Sequence, residues 1–194
     1  MTDRVWLVRH ASTSWTGRRW CGRTDLPLSP AGRVQAIDLA GRLDRLVPAD
    51  APILTSPARR AVETARQIAT TGRSVEIMDE LREIDFGRAE GRTWSELERD
   101  LPALAAAIAS GDAAIDWPDG ESAAGVRRRA VAVRERVEGA ADPLVLVTHG
   151  GLIGAMIQLL GGSCAITGHR LEPATALALR SAGRTWRILQ TGRD

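Results

Sequence analysis

Two short apolar runs, each emptying into a histidine, constrain this chain more than any other feature. Val5-Trp6-Leu7-Val8 leads into Arg9-His10, and Leu144-Val145-Leu146-Val147-Thr148 leads into His149-Gly150-Gly151. Runs this short, rich in β-formers and bounded by polar residues, read as strands buried on both faces. Such strands belong to parallel sheets, whose carboxyl ends face the ligand crevice. The sequence therefore brings two imidazoles from two separate strands to one edge of one sheet.

The rest of the chain supplies the helices that such a sheet needs. After a polar, Gly-containing loop over 11–29, Ser29-Pro30 predicts a helix with Ser at its cap and Pro in its first turn. Val34, Ile37, Leu39, Ala40, Leu43 and Leu46 are expected to form its apolar face. A second strand is predicted over 52–55. A helix started by Ser56-Pro57 follows, with Ala61, Ala65 and Ile68 turned inward, and then a third strand over 75–78. Residues 93–140 read as Ala-rich helix, broken near Gly111 and at Trp117-Pro118-Asp119-Gly120. The helix after His149 runs through Leu160, and 175–180 and 185–190 alternate around Gly183 as a closing hairpin. Strands alternating with helices predict an α/β sandwich on a mostly parallel sheet. No repeat, low-complexity stretch or linker interrupts 1–194, so a single domain is expected.

Composition removes several classes of function. The net charge is only +2, with no lysine block or aromatic-basic ladder, which argues against nucleic acid. Arg127-Arg128-Arg129 is the densest basic run and reads as a solvated helix face. The two cysteines, Cys21 and Cys164, form no C-x-x-C pair, so neither a disulfide framework nor a zinc site is expected. Residues 5–8 are too short for a signal peptide, and no stretch approaches a membrane span. A cytoplasmic protein is expected.

The residues around the histidines favour an anion. Arg9 adjoins His10, and Arg60 lies in the first turn of the helix after the second predicted strand. Gly150 and Gly151 let a ligand approach backbone N–H groups at a helix start. Two guanidiniums and two imidazoles at one crevice suit a tetrahedral dianion. The third histidine, His169, has no such setting and reads as structural or surface.

At this point the chain resembles the histidine phosphatase superfamily, the phosphoglycerate mutase-like proteins. Arg9-His10-Ala11-Ser12-Thr13 is similar to the family's nucleophile signature, and the segment from Gly22 through Gly32 to the one that follows it. Thr55-Ser56-Pro57-Ala58-Arg59-Arg60 resembles the second-arginine helix, with Arg60 at the catalytic position. Leu81-Arg82-Glu83-Ile84-Asp85-Phe86-Gly87 resembles the segment carrying the family's acid, and Thr148-His149-Gly150-Gly151 its second-histidine motif. The resemblance implies a three-layer sandwich and a phosphohistidine formed on His10. It also implies Arg9, Arg60 and His149 around the phosphate, and Glu83 as the acid and base. Glu83 must start protonated, a state favoured by burial or by nearby phosphate. Thr16, Cys21, Gly22 and Gly150 match positions that contact phosphate or substrate.

The chain also departs from the family pattern. Ala11, Ser12 and Thr16 stand where Gly, Glu and Asn are common, and Ala89 replaces a frequent aromatic, which predicts an altered pocket wall. Ser122 matches a family loop near the pocket but also reads as a helix cap. No D-x-D pair or metal-spaced ligand set occurs, so no metal or other cofactor is implied. The partner implied is a small-molecule phosphomonoester, with a homodimer as the candidate assembly. Within the family the length and the 81–91 segment look most like α-ribazole phosphatase and broad-specificity phosphatases. A phosphoglycerate mutase and a non-catalytic phospho-ligand binding domain are the rival readings.

Overall fold

The computed structural model describes residues 4–111, 114–140, 143–159, 171–182 and 185–191. Its strands are β1 (Arg4–Arg9), β2 (Ile53–Thr55), β3 (Val75–Ile77), β4 (Leu144–Thr148), β5 (Ala176–Ala182) and β6 (Thr185–Thr191). They form one sheet in the order β3-β2-β4-β1-β5-β6. The first four run parallel, and β5 and β6 join antiparallel. Period-two alternation explains why β1 and β4 are continuously apolar. Val5, Leu7, Leu144 and Leu146 pack on one face, while Trp6, Val8, Val145 and Val147 pack on the other.

The helices are α1 (Pro30–Leu43), α2 (Arg59–Ile68), α3 (Trp94–Asp100), α4 (Pro102–Ala109), α5 (Ala123–Glu138) and α6 (Gly150–Leu159). One face of the sheet carries α1 and α2, the other α5 and α6, which gives the expected three layers. A smaller apolar cluster joins α3 and α4 to Phe86, Trp117 and Val126. Among the described residues no helix is long and apolar enough to cross a membrane.

Local signals place most helix starts. The Ser29 hydroxyl accepts from Gly32 N–H at 3.0 Å, Ser122 caps α5 through Gly125 N–H at 3.1 Å, and Thr93 and Glu96 form a capping box on α3. Two expectations need correction. Val34 and Ile37 of α1, and Leu46 beyond its end, are exposed; the buried stripe is Gly32, Ala36, Leu39, Ala40 and Leu43. At its first turn α1 lies hard against the loop after β1. A Cβ on Gly32 would stand 2.0 Å from the Ser12 carbonyl oxygen. Likewise α2 begins at Arg59, past the expected start, and the Ser56 hydroxyl lies between Ala58 N–H and His149. The tail of the α6 expectation at Leu160, the Gly183 turn, Cys164 and His169 lie outside the described residues.

Candidate active site

Sheet register alone brings the two histidines together. β1 and β4 pair in parallel from Val5 with Leu144 to Arg9 with Thr148, so His10 and His149 leave neighbouring strands at the same level. His10 N–H donates to the Thr148 carbonyl at 2.9 Å. The two rings meet edge to face, with centroids 5.0 Å apart.

His10 is held in one chemical form. Its Nδ1–H donates to the Ala11 carbonyl at 2.7 Å, which leaves the Nε2 lone pair to accept from Arg60 Nε at 3.2 Å. Burial first, and then the Arg60 and Arg9 cations, hold its pKa well below the ordinary 6.5. The ring is therefore neutral, with its basic nitrogen presented to the crevice.

Arg60 is fully buried and tied on every side. Nη1 donates to the Thr24 carbonyl at 2.8 Å, and Nη2 to the carbonyls of Gly22 at 2.8 Å and Cys21 at 3.3 Å. The same loop is gripped from its other side by Glu90. That carboxylate accepts from the N–H groups of Gly22 at 2.9 Å, Thr24 at 3.0 Å and Arg23 at 3.3 Å. Loop 21–24 is thus clamped between a carboxylate on its N–H side and a guanidinium on its carbonyl side. Sequence reasoning missed Glu90, since no local pattern separates it from a solvated carboxylate.

Glu83 is buried, although its sequence neighbours Asp79, Glu80 and Asp85 gave no reason to single it out on spacing. Oε1 accepts from Ile84 N–H at 3.0 Å and Leu152 N–H at 3.1 Å, and Oε2 from Gly151 N–H at 3.1 Å. The anion that sequence reasoning expected at the start of α6 is, in this structure, Glu83 itself. A Cβ on Gly151 would come 2.6 Å from Glu83 Oε1, so glycine is what admits the carboxylate. Arg129 braces this segment. It donates to Glu121 at 2.7 Å and to the Glu80 and Arg82 carbonyls at 2.8 and 2.7 Å. Of the basic run only Arg127 and Arg128 form the solvated face that was expected.

The remaining site residues divide. Arg9 donates through Nη1 to the Leu171 carbonyl, while its Nε is buried with no hydrogen-bond partner among the described residues. Burial lowers its pKa, with the Arg60 cation adding to that and Glu83 and Glu172 opposing it. His149 is fully buried, its Nε2 lies 2.8 Å from Ser56 Oγ, and its pKa is held well below 6.5 by burial first and then by Arg60. Gly150 opens α6 and is buried.

Thr16 Oγ1 accepts from Thr13 N–H at 2.9 Å and closes the loop after His10. Cys21 contributes its carbonyl to Arg60, and burial pushes its thiol up to about 11, so it is no thiolate nucleophile. Gly22 was expected to contact substrate; its N–H is committed to Glu90. Ala89 is fully buried in the apolar cluster with α3 and α4. The cavity, about 270 Å³, opens beside Glu83 and Gly22, with Arg23, Asp25 and Arg82 in its wall.

The chain is 34% identical over 169 residues to the glucosyl-3-phosphoglycerate phosphatase of Mycobacterium tuberculosis, covering 81% of this chain and 74% of that protein. It is 32% identical over 158 residues to phosphoglycerate mutase-like protein 4 of Arabidopsis thaliana, covering 78% and 68%. The crystal structure of TTHB049 from Thermus thermophilus superposes with a TM-score of 0.76 at 33% identity, covering 97% of each chain. The sequence profile of the histidine phosphatase superfamily (branch 1) matches residues 5–193, and the chain belongs to that family.

Proposed function

We propose that this protein is a metal-independent phosphatase that hydrolyses small-molecule phosphomonoesters through a phosphohistidine on His10. One observation carries the reading: His10 is neutral, its Nδ1–H is tied to the Ala11 carbonyl, and its Nε2 lone pair faces the buried guanidinium of Arg60. A substrate phosphate takes over the Arg60 Nε–H bond, which frees Nε2 to attack phosphorus in line with the leaving oxygen. Arg9, Arg60 and His149 hold the equatorial oxygens, where negative charge is carried through the transition state. Glu83, a carboxylate in the free protein, has to take up a proton as the negatively charged phosphate binds beside it, and it gives that proton to the leaving oxygen as the P–O bond to the alcohol breaks. The resulting carboxylate takes a proton from water, whose oxygen attacks the phosphohistidine and releases orthophosphate.

The two arginines supply the positive charge that a metal ion would otherwise bring, which supports metal independence. Thr16 can add a hydroxyl donor, Gly150 a backbone donor, and Cys21 and Gly22 the wall of the leaving-group pocket. Arg23 and Arg82 beside Glu83 suit a leaving group rich in polar or anionic groups.

The test is a screen of phosphomonoesters with and without EDTA, followed by mass spectrometry of quenched enzyme. Turnover unaffected by chelator, with acid-labile phosphate on His10 that His10→Ala abolishes, is expected. Phosphate on Cys21, Ser12 or Thr13 would overturn the mechanism. Rapid isomerisation of 3-phosphoglycerate with 2,3-bisphosphoglycerate present, without phosphate release, would make the protein a mutase. Tight binding of phosphomonoesters with no turnover would make it a binding domain.

A further inference from the structure

His149 carries an orphan atom. Its Nδ1 is buried and has no hydrogen-bond partner among the described residues, while its Nε2 lies 2.8 Å from Ser56 Oγ. A neutral imidazole has a single N–H, and the nitrogen that bears it decides whether the orphan is a donor or an acceptor. Hydrogen-bond accounting at Ser56 settles which. The residue is fully buried, and its hydroxyl oxygen already accepts from Ala58 N–H at 3.3 Å. Its own O–H has one acceptor within reach among the described residues, His149 Nε2. If the ring donated instead, the hydroxyl hydrogen would be buried without an acceptor, the costly arrangement that native structures avoid.

We infer that Ser56 is a positioning residue that donates to His149 Nε2, fixes the Nδ1–H tautomer, and so makes the neutral ring a hydrogen-bond donor to the anion bound beside His10. This rests on the phosphatase reading for the identity of that anion. The opposite tautomer would present a lone pair to a phosphate oxygen and repel it. In the free protein burial and the Arg60 cation hold the pKa of His149 well below 6.5, so the neutral ring whose tautomer Ser56 sets is the form that meets the anion. The rings of His149 and His10 meet edge to face with centroids 5.0 Å apart, so both border the same anion site.

The experiment is long-range ¹H–¹⁵N imidazole NMR on the full chain, free and with orthovanadate. Only three histidines occur, so the signals are assignable by single substitution. Wild-type His149 should show a protonated Nδ1 and an unprotonated Nε2, and the Nδ1 proton should shift on adding vanadate. Ser56→Ala should give mixed or inverted tautomers, with vanadate affinity and kcat/KM each down about tenfold. Ser56→Thr, which keeps the hydroxyl, should stay near wild type in all three. An Nε2–H tautomer in the wild-type protein would overturn the inference, and that spectrum requires no variant to fold. Unchanged vanadate affinity in a folded Ser56→Ala protein would also overturn it. Failure of the phosphatase reading shows itself differently, as a protein that neither binds vanadate nor hydrolyses any phosphomonoester while its tautomer spectrum stands.

Discussion

Replacing Glu83 by glutamine separates the acid's two jobs, because the structure gives each a different size. The carboxylate accepts three backbone N–H bonds, two on Oε1 and one on Oε2. Glutamine keeps one oxygen and puts an NH₂ in place of the other. Turned the better way, it retains Ile84 and Leu152 and faces Gly151 N–H with a second donor. One lost bond with a buried donor left unsatisfied costs about 1–3 kcal/mol. For a domain of this size each kcal/mol lowers Tm by roughly 2–4 °C. The variant therefore stays folded at 25 °C.

The catalytic loss is larger. Removing a general acid typically slows turnover about 10²–10⁴-fold, or about 2.7–5.4 kcal/mol of barrier. That loss should fall mainly on poor leaving groups. An alkyl phosphate such as glycerol 3-phosphate should show the full effect. The pre-steady-state burst with p-nitrophenyl phosphate should be largely spared, since its phenolate leaves without a proton. Thermal melts run beside stopped-flow bursts on both substrates measure the two parts independently. Equal losses in the burst phase for aryl and alkyl phosphates would refute Glu83 as the acid.

Glu90→Gln should loosen loop 21–24 and with it the carbonyls that hold Arg60. Bonds to a charged acceptor contribute about 1.5–3 kcal/mol each, so a loss of tenfold or more in kcat/KM, with weaker orthophosphate binding by calorimetry, is expected. Unchanged orthophosphate affinity would show that the clamp does not reach Arg60. Stability should also depend on pH through His10 and His149. Both have folded-state pKa values depressed below the unfolded 6.5, so the unfolded chain binds more protons in that window. Stability should be level above about pH 6.5 and decline as pH falls below it, by at most about 1.4 kcal/mol per pH unit for each histidine. Urea melts between pH 5 and 7.5 measure the slope, and a His10→Asn/His149→Asn variant with the same slope as wild type would refute the assignment.

Much of this protein was legible in its sequence because the signals were local. β1 and β4 announce themselves as uninterrupted apolar runs, since both faces of each are covered. Ser29, Thr93 and Ser122 mark helix starts by the hydrogen bonds their own side chains make within one turn. His10, His149, Arg9 and Arg60 could be grouped because parallel strands carry their carboxyl ends to one edge. Tertiary structure decided the rest. Which stripe of α1 faces inward was set by its packing on the sheet, where Ala36, Leu39 and Leu43 join the cluster under β1 and β4, Gly32 fits against the Ser12 carbonyl, and Val34 and Ile37 are left exposed. Glu90 reaches residues 66 to 68 positions away, and Ser56 meets His149 across 93 positions. No window along the chain contains both ends of such a contact. Glu83 shows the division most plainly: its sequence neighbours are carboxylates of the same kind, and only the start of α6, folded against it, supplies the two N–H groups that complete its site.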